Sequence, residues 1–126
     1  MGLFSSLIGN AGVVDKAKLE QEYAQLLTEN EEIEIGFKLV RDTFIFTSKR
    51  LMLVDKQGLT GRKTEYMSVA YKSISRFSIE TAGTFDLDAE LKIYISSEEK
   101  PSIAKKFNSR VNVYDVQRVL AKYVLG

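Results

Sequence analysis

The chain has 126 residues, 44% of them hydrophobic and 28% charged, with one proline; this is the size and composition of one ordinary globular domain without a proline-rich linker. It contains neither cysteine nor histidine, which excludes disulfides, thiolate metal sites and a thiol nucleophile, and removes the side chain most used for acid–base work near neutral pH. A formal net charge of +1 excludes whole-surface attraction to nucleic acid or anionic lipid. The charge is unevenly spread: residues 1–48 hold four Lys/Arg against eight Asp/Glu, residues 49–78 seven against two, and residues 79–126 seven against seven.

In chain order, residues 1–14 are apolar, Gly- and Ser-rich, and uncharged. Leu3, Phe4, Leu7 and Ile8 recur at the spacing of one helical face, which predicts a short amphipathic helix that docks on its own domain, on a neighbouring subunit or on a membrane surface. Asp15 is placed to cap a helix over residues 15–28, with Leu19, Tyr23, Leu26 and Leu27 as its stripe. An acid-rich passage, Glu29 to Glu34, leads into a strand in which Ile33, Ile35, Phe37 and Leu39 alternate with polar residues, the pattern of a strand with one wet face. Thr43 to Thr47 is a second strand. Leu51 to Val54 is a short unbroken apolar run, which suits a strand covered on both faces. Gly58 and Gly61 bound a turn, and Arg62 to Ala70 resumes a strand. Phe77, Ile79 and Thr81 alternate with Arg76, Ser78 and Glu80, and Leu91, Ile93 and Ile95 with Glu90, Lys92 and Tyr94. Ser96 to Pro101 is a turn. Ser102 to Phe107 is a further strand, in which Lys105 shares parity with Ile103 and Phe107 and requires an edge or a bulge. Asn112 caps a closing helix over residues 112–125, with Asp115 in its first turn and Val113, Val116, Leu120, Tyr123 and Val124 on its apolar stripe.

About seven short antiparallel strands between two helices bury one face by curling into two sheets or a partly open barrel over residues 31–107, with the last helix covering an end. That order, together with the blocks TSKRL (Thr47 to Leu51), VDKQGLTG (Val54 to Gly61) and YKSI (Tyr71 to Ile74) within Phe37 to Gly83, closely resembles the bacterial pleckstrin-homology-like family. The resemblance spans nearly all of residues 1–126 as a single domain, including the closing VYDVQRVLAKYVLG segment. One departure is Val69-Ala70-Tyr71, where a proline often precedes the tyrosine. The resemblance implies a mostly β, pleckstrin-homology-like barrel capped by a C-terminal helix, and a non-catalytic, ring-forming homo-oligomer, with a pentamer as the expected ring. Incompletely closed barrels expose strand edges that need covering, charging or pairing.

No paired, positioned reactive groups stand out, so no catalytic residue, metal ligand or cofactor is expected. The cations Lys38, Lys49, Arg50, Lys56, Arg62 and Lys63 are the candidates for gripping an anion or a partner, a peripheral membrane or an anionic headgroup included. Eukaryotic pleckstrin-homology domains that bind inositol phosphates carry a K-x-R pattern in their second strand, whereas Thr43 to Thr47 contains no cation. Gly58 and Gly61 lack the following Lys-Ser of a phosphate loop, and Asp86, Asp88 and Glu90 lack the glycine and final glutamate of a calcium loop. The strand spacing of Tyr66, Tyr71 and Tyr94 fits a core and its rim, and no nucleic acid is expected. A cysteine-free chain with no secretory signal or span-length apolar run suits the cytoplasm.

Overall fold

Period-two alternation shapes several of the strands of this chain. The computed structural model describes residues 3–7, 9–10, 12–39, 41–57, 63–81, 89–107 and 111–126. They fall into two compact units, which divide between Val69 and Ala70.

The first unit opens with α1 (Leu3–Leu7), then β1 (Val13–Val14), α2 (Lys16–Tyr23), β2 (Ile33–Lys38), β3 (Asp42–Thr47), β4 (Arg50–Gln57) and β5 (Lys63–Ala70), which runs to the boundary. Its five strands form one sheet in the order β1-β2-β3-β4-β5. The two-residue strand β1 was not expected; Val13 and Val14 pair with Phe37 and Gly36, adding a short edge to the sheet. Asp15 does cap α2, its carboxylate accepting from the Ala17 amide at 3.1 Å. The helix is shorter than predicted: it ends at Tyr23 and tightens into a 3-10 turn over Ala24–Leu26. Eight residues make no stable helix alone, so α2 depends on packing. Leu19 and Tyr23 supply it, clustering with Ile33, Ile45, Met52 and Val54 on one sheet face.

Gly36 marks the closest approach. A β-carbon there would collide with Cδ1 of Leu19, so only glycine lets the helix lie this low on the strand.

Strand β2 differs from the expected one-wet-face pattern. Ile33 pairs with Thr47 but Ile35 with Phe46, and Glu34 is the extra residue of a bulge. The bulge turns Ile33 toward the α2 face while Ile35 and Phe37 point to the other. On that other face Phe37, Phe44 and Leu53 stand in one cross-strand row and Phe46 and Leu51 in the next, all at most 5% exposed. The prediction for Leu51 to Val54, covered on both sides, holds.

The second unit contains β6 (Ile74–Thr81), β7 (Ala89–Ile95), β8 (Ile103–Phe107) and α3 (Val113–Val124). Its strands form one antiparallel sheet in the order β6-β7-β8. Lys105 sits opposite Leu91 in an unbulged register and is accommodated because β8 is the sheet's outer strand. Asn112 caps α3 by accepting from the Tyr114 amide at 2.9 Å. This helix lies against β6 and β7, burying Val113, Val116, Val119 and Leu120; Val119 was missed in the predicted stripe. Among the described residues there are thus eight strands in two sheets, one more strand than the seven expected.

Candidate functional site

The connection from α2 to β2 is built around one carboxylate. Glu31 N–H donates to Thr28 O at 3.2 Å, and the Thr28 amide donates back to Glu31 Oε1 at 3.0 Å. Asn30 takes φ 59° in this turn, a left-handed conformation that asparagine tolerates better than most residues. The carboxylate is delivered into the fold, where its side chain is 0% exposed. There Arg50 meets it in a fork, Nε to Oε2 at 2.8 Å and Nη2 to Oε1 at 3.0 Å, and the Thr47 hydroxyl donates to Oε2 at 2.6 Å. Burial alone would push the Glu31 carboxyl up. The hydrogen bonds from Arg50, Thr47 and the Thr28 amide outweigh it and hold the group down at about 2. Arg50 also donates to Leu26 O and to Ser68 Oγ, so its guanidinium joins the end of α2, the turn, β4 and β5.

Thr47 does a second job. Only Ser48 and Lys49 separate β3 from β4, yet neither takes the positive φ of the commonest two-residue hairpin turns. Instead the Thr47 hydroxyl accepts from the amides of Lys49 and Arg50 at 3.1 and 2.9 Å and closes the turn from within.

At the other end of the same sheet face lies a cleft of about 490 Å³ lined by Lys18, Glu22 and Tyr23 of α2, Lys38 of β2, Thr43 of β3 and Lys56 of β4. The register places them: Lys38 is opposite Thr43, and Thr43 is opposite Val54, two residues from Lys56. Val14 and Leu19 also line it. Tyr23 is buried and its ring meets Tyr66 edge-on at 6.3 Å. Burial first, then the neighbouring Glu22 carboxylate, pushes its hydroxyl up to about 12. Among the described residues, no carboxylate lies within ion-pair distance of Lys18, Lys38 or Lys56.

Among the described residues, the cations expected as candidates are spread over both ends of the strands. The Arg50 charge is engaged by Glu31. Lys49 donates to Glu29 O at 3.1 Å, and Lys63 is exposed at the start of β5. Arg62, with Gly58 and Gly61, lies outside the described residues. Of the described candidates, Lys38 and Lys56 line one cleft, together with Lys18, which was missed. Its signal was available, since Lys18, Gln21 and Glu22 share one side of a helix by their i, i+3, i+4 spacing. Glu31 and Thr47 carry no local pattern that marks them as partners.

In the leader, Leu7 is 2% exposed, while Leu3 and Phe4 are half-buried; Phe4 lines a second, more apolar cleft of about 340 Å³ with Val13, Val14 and Ile35. Ile8 lies outside the described residues, as do Asp86 and Asp88. Glu90 faces Lys92 at 3.7 Å, and the described residues hold no cluster of three metal-ligating side chains. Tyr71 stacks on Tyr123 at 4.5 Å, and the Arg76 guanidinium covers the Tyr94 ring at 3.9 Å. Both rings have partners of their own.

The family model for the bacterial PH domain matches residues 2–124. The chain belongs to the bacterial PH domain family, and its fold is pleckstrin-homology-like. It is 56% identical over 121 residues to the uncharacterized protein YjqA of Bacillus subtilis (strain 168), covering 96% of this chain and 97% of that one. Among solved structures it is similar to a pleckstrin homology domain from Shewanella amazonensis SB2B, with 49% identity, a TM-score of 0.81 and coverage of 89% of this chain and 100% of that one. It is also similar to a DUF1696 family protein with a pleckstrin-homology domain from Shewanella loihica PV-4, at 44% identity, TM-score 0.78 and coverage of 92% and 98%. Among the described residues no helix is long and apolar enough to cross a membrane.

Proposed function

We propose that this chain is a non-catalytic assembly module of the cytoplasm, in which strand edges join copies of the chain into a ring-like homo-oligomer. The observation that carries this reading is β5. It is the outer strand of the five-stranded sheet, eight residues long, and mostly exposed. An outer strand offers a row of backbone donors and acceptors for another chain, and proteins that avoid such pairing blunt the edge with charge, proline or a bulge. In β5 the charges, Lys63 and Glu65, stand at its start, and Tyr66 to Ala70 has none. Tyr66 and Met67 are 49% and 36% exposed there, apolar surface that pairing would cover.

Sedimentation at micromolar concentration tests this. The expected mass is a multiple of 14.2 kDa, and Met67→Glu, placed on the exposed edge, is expected to reduce it to one chain without changing the circular dichroism. A wild-type protein that sediments as one chain overturns the proposal.

A further inference from the structure

The α1 leader and β1 lie at the edge of the first unit's sheet opposite β5, and the second cleft there has a volume of about 340 Å³. That is the lower end of the range for small-molecule pockets, roughly 300–1,000 Å³. Its walls are Phe4, Val13, Val14 and Ile35. Ile35 is covered, but Phe4, Val13 and Val14 are only half-buried, so an apolar group entering the cleft would take further apolar surface out of water. The rim carries Asp15, Lys16 and Glu34. Asp15 is already committed, its carboxylate accepting from the Ala17 amide at the start of α2. Lys16 and Glu34 form no ion pair with each other or with any other described residue. One cation and one anion are thereby left beside an apolar slot. A ligand of a single charge sign would meet one partner and one like charge, whereas a ligand carrying both signs meets two partners.

We propose that the cleft between α1 and β2 binds a zwitterionic α-amino acid with a large apolar side chain, its ammonium on Glu34, its carboxylate on Lys16 and its side chain among Phe4, Val13 and Ile35. Glu34 comes to this rim as the extra residue of the β2 bulge. The wall that carries Phe4 is the least secured part of the site: α1 has five residues, too few to stay helical alone, and Leu7, 2% exposed, holds it on the first unit. A side chain seated between Phe4 and Ile35 adds to that hold, so the ligand fastens the leader as it binds. The site is separate from the β5 edge argued to join copies.

Amide NMR titration of the full chain with L-phenylalanine as the probe tests the assignment. Phenylalanine is expected to shift the amides of Val13, Lys16 and Ile35. It is also expected to bind about tenfold or more tightly than each of three partial probes: phenethylamine, which lacks the carboxylate, hydrocinnamate, which lacks the ammonium, and glycine, which lacks the apolar body. Lys16→Gln is expected to weaken phenylalanine about tenfold and leave phenethylamine unchanged, and Glu34→Gln to weaken phenylalanine about tenfold and leave hydrocinnamate unchanged. That selectivity separates a lost contact from a disturbed fold, which would weaken every probe. No shift at these amides with millimolar phenylalanine, a partial probe that binds as tightly as phenylalanine, or variants that weaken all probes alike overturns the proposal.

Discussion

Glu31 shows how one side chain contributes to the stability of the fold in acid. Its carboxyl is held at about 2 when folded against 4.5 for an ordinary glutamate. A depressed folded value means that the stabilisation is complete above about pH 4.5 and is lost as the pH falls through 2. That difference corresponds to about 3 kcal/mol. Glu31→Gln is therefore expected to lower the unfolding free energy at pH 7 by about 2–3 kcal/mol, measured in urea, and to flatten its dependence on pH between 4.5 and 2. An unchanged acid limb in the variant would show that Arg50 and Thr47 do not hold the carboxylate as described.

At the scale of the element, α2 and β2 are fitted to each other through Gly36 and Leu19. Gly36→Val would force the Leu19 side chain out of its place among Ile45 and Met52, a loss of about 1–3 kcal/mol as overpacking. Leu19→Ala in the same chain is expected to recover part of that loss, so that the two changes are strongly non-additive in a double-mutant cycle. Simple addition would mean that the contact is not the constraint. Elements of this kind also show where the sequence could be read and where it could not. Asp15 and Asn112 announce their helices because a cap is a local event, one side chain meeting an amide two residues on. Strands β6 and β7 announce themselves by alternation. The bulge at Glu34 does not, because it arises from how β2 must present Ile33 to a helix and Ile35 to the opposite face, and a window of alternating residues contains neither partner. For the same reason Arg50 looked like one more cation in a basic segment. Its partner is 19 residues away, in a passage of glutamates among which nothing local marks Glu31. Lys38 and Lys56 were legible as candidates, but their lining one cleft depends on cross-strand register, which no single stretch displays.

For the whole molecule, assembly through β5 would make stability a property of concentration. A chain whose outer strand is paired with a neighbour unfolds only after dissociation, so its midpoint temperature is expected to rise between low micromolar and 100-fold higher protein concentration, while Met67→Glu shows a constant midpoint. Scanning calorimetry at the two concentrations decides it. A wild-type midpoint that stays fixed would leave β5 solvated at all concentrations.

The guanidinium of Arg50 has one more implication. A group that binds Leu26, Glu31 and Ser68 at once cannot release one of them without weakening its hold on the rest. Fraying at the outer strand is then transmitted to the turn after the helix, and the first unit is expected to open as one cooperative body instead of peeling strand by strand. Local looseness is what proteases and mispaired chains exploit, and a single half-buried branch point is placed to oppose it.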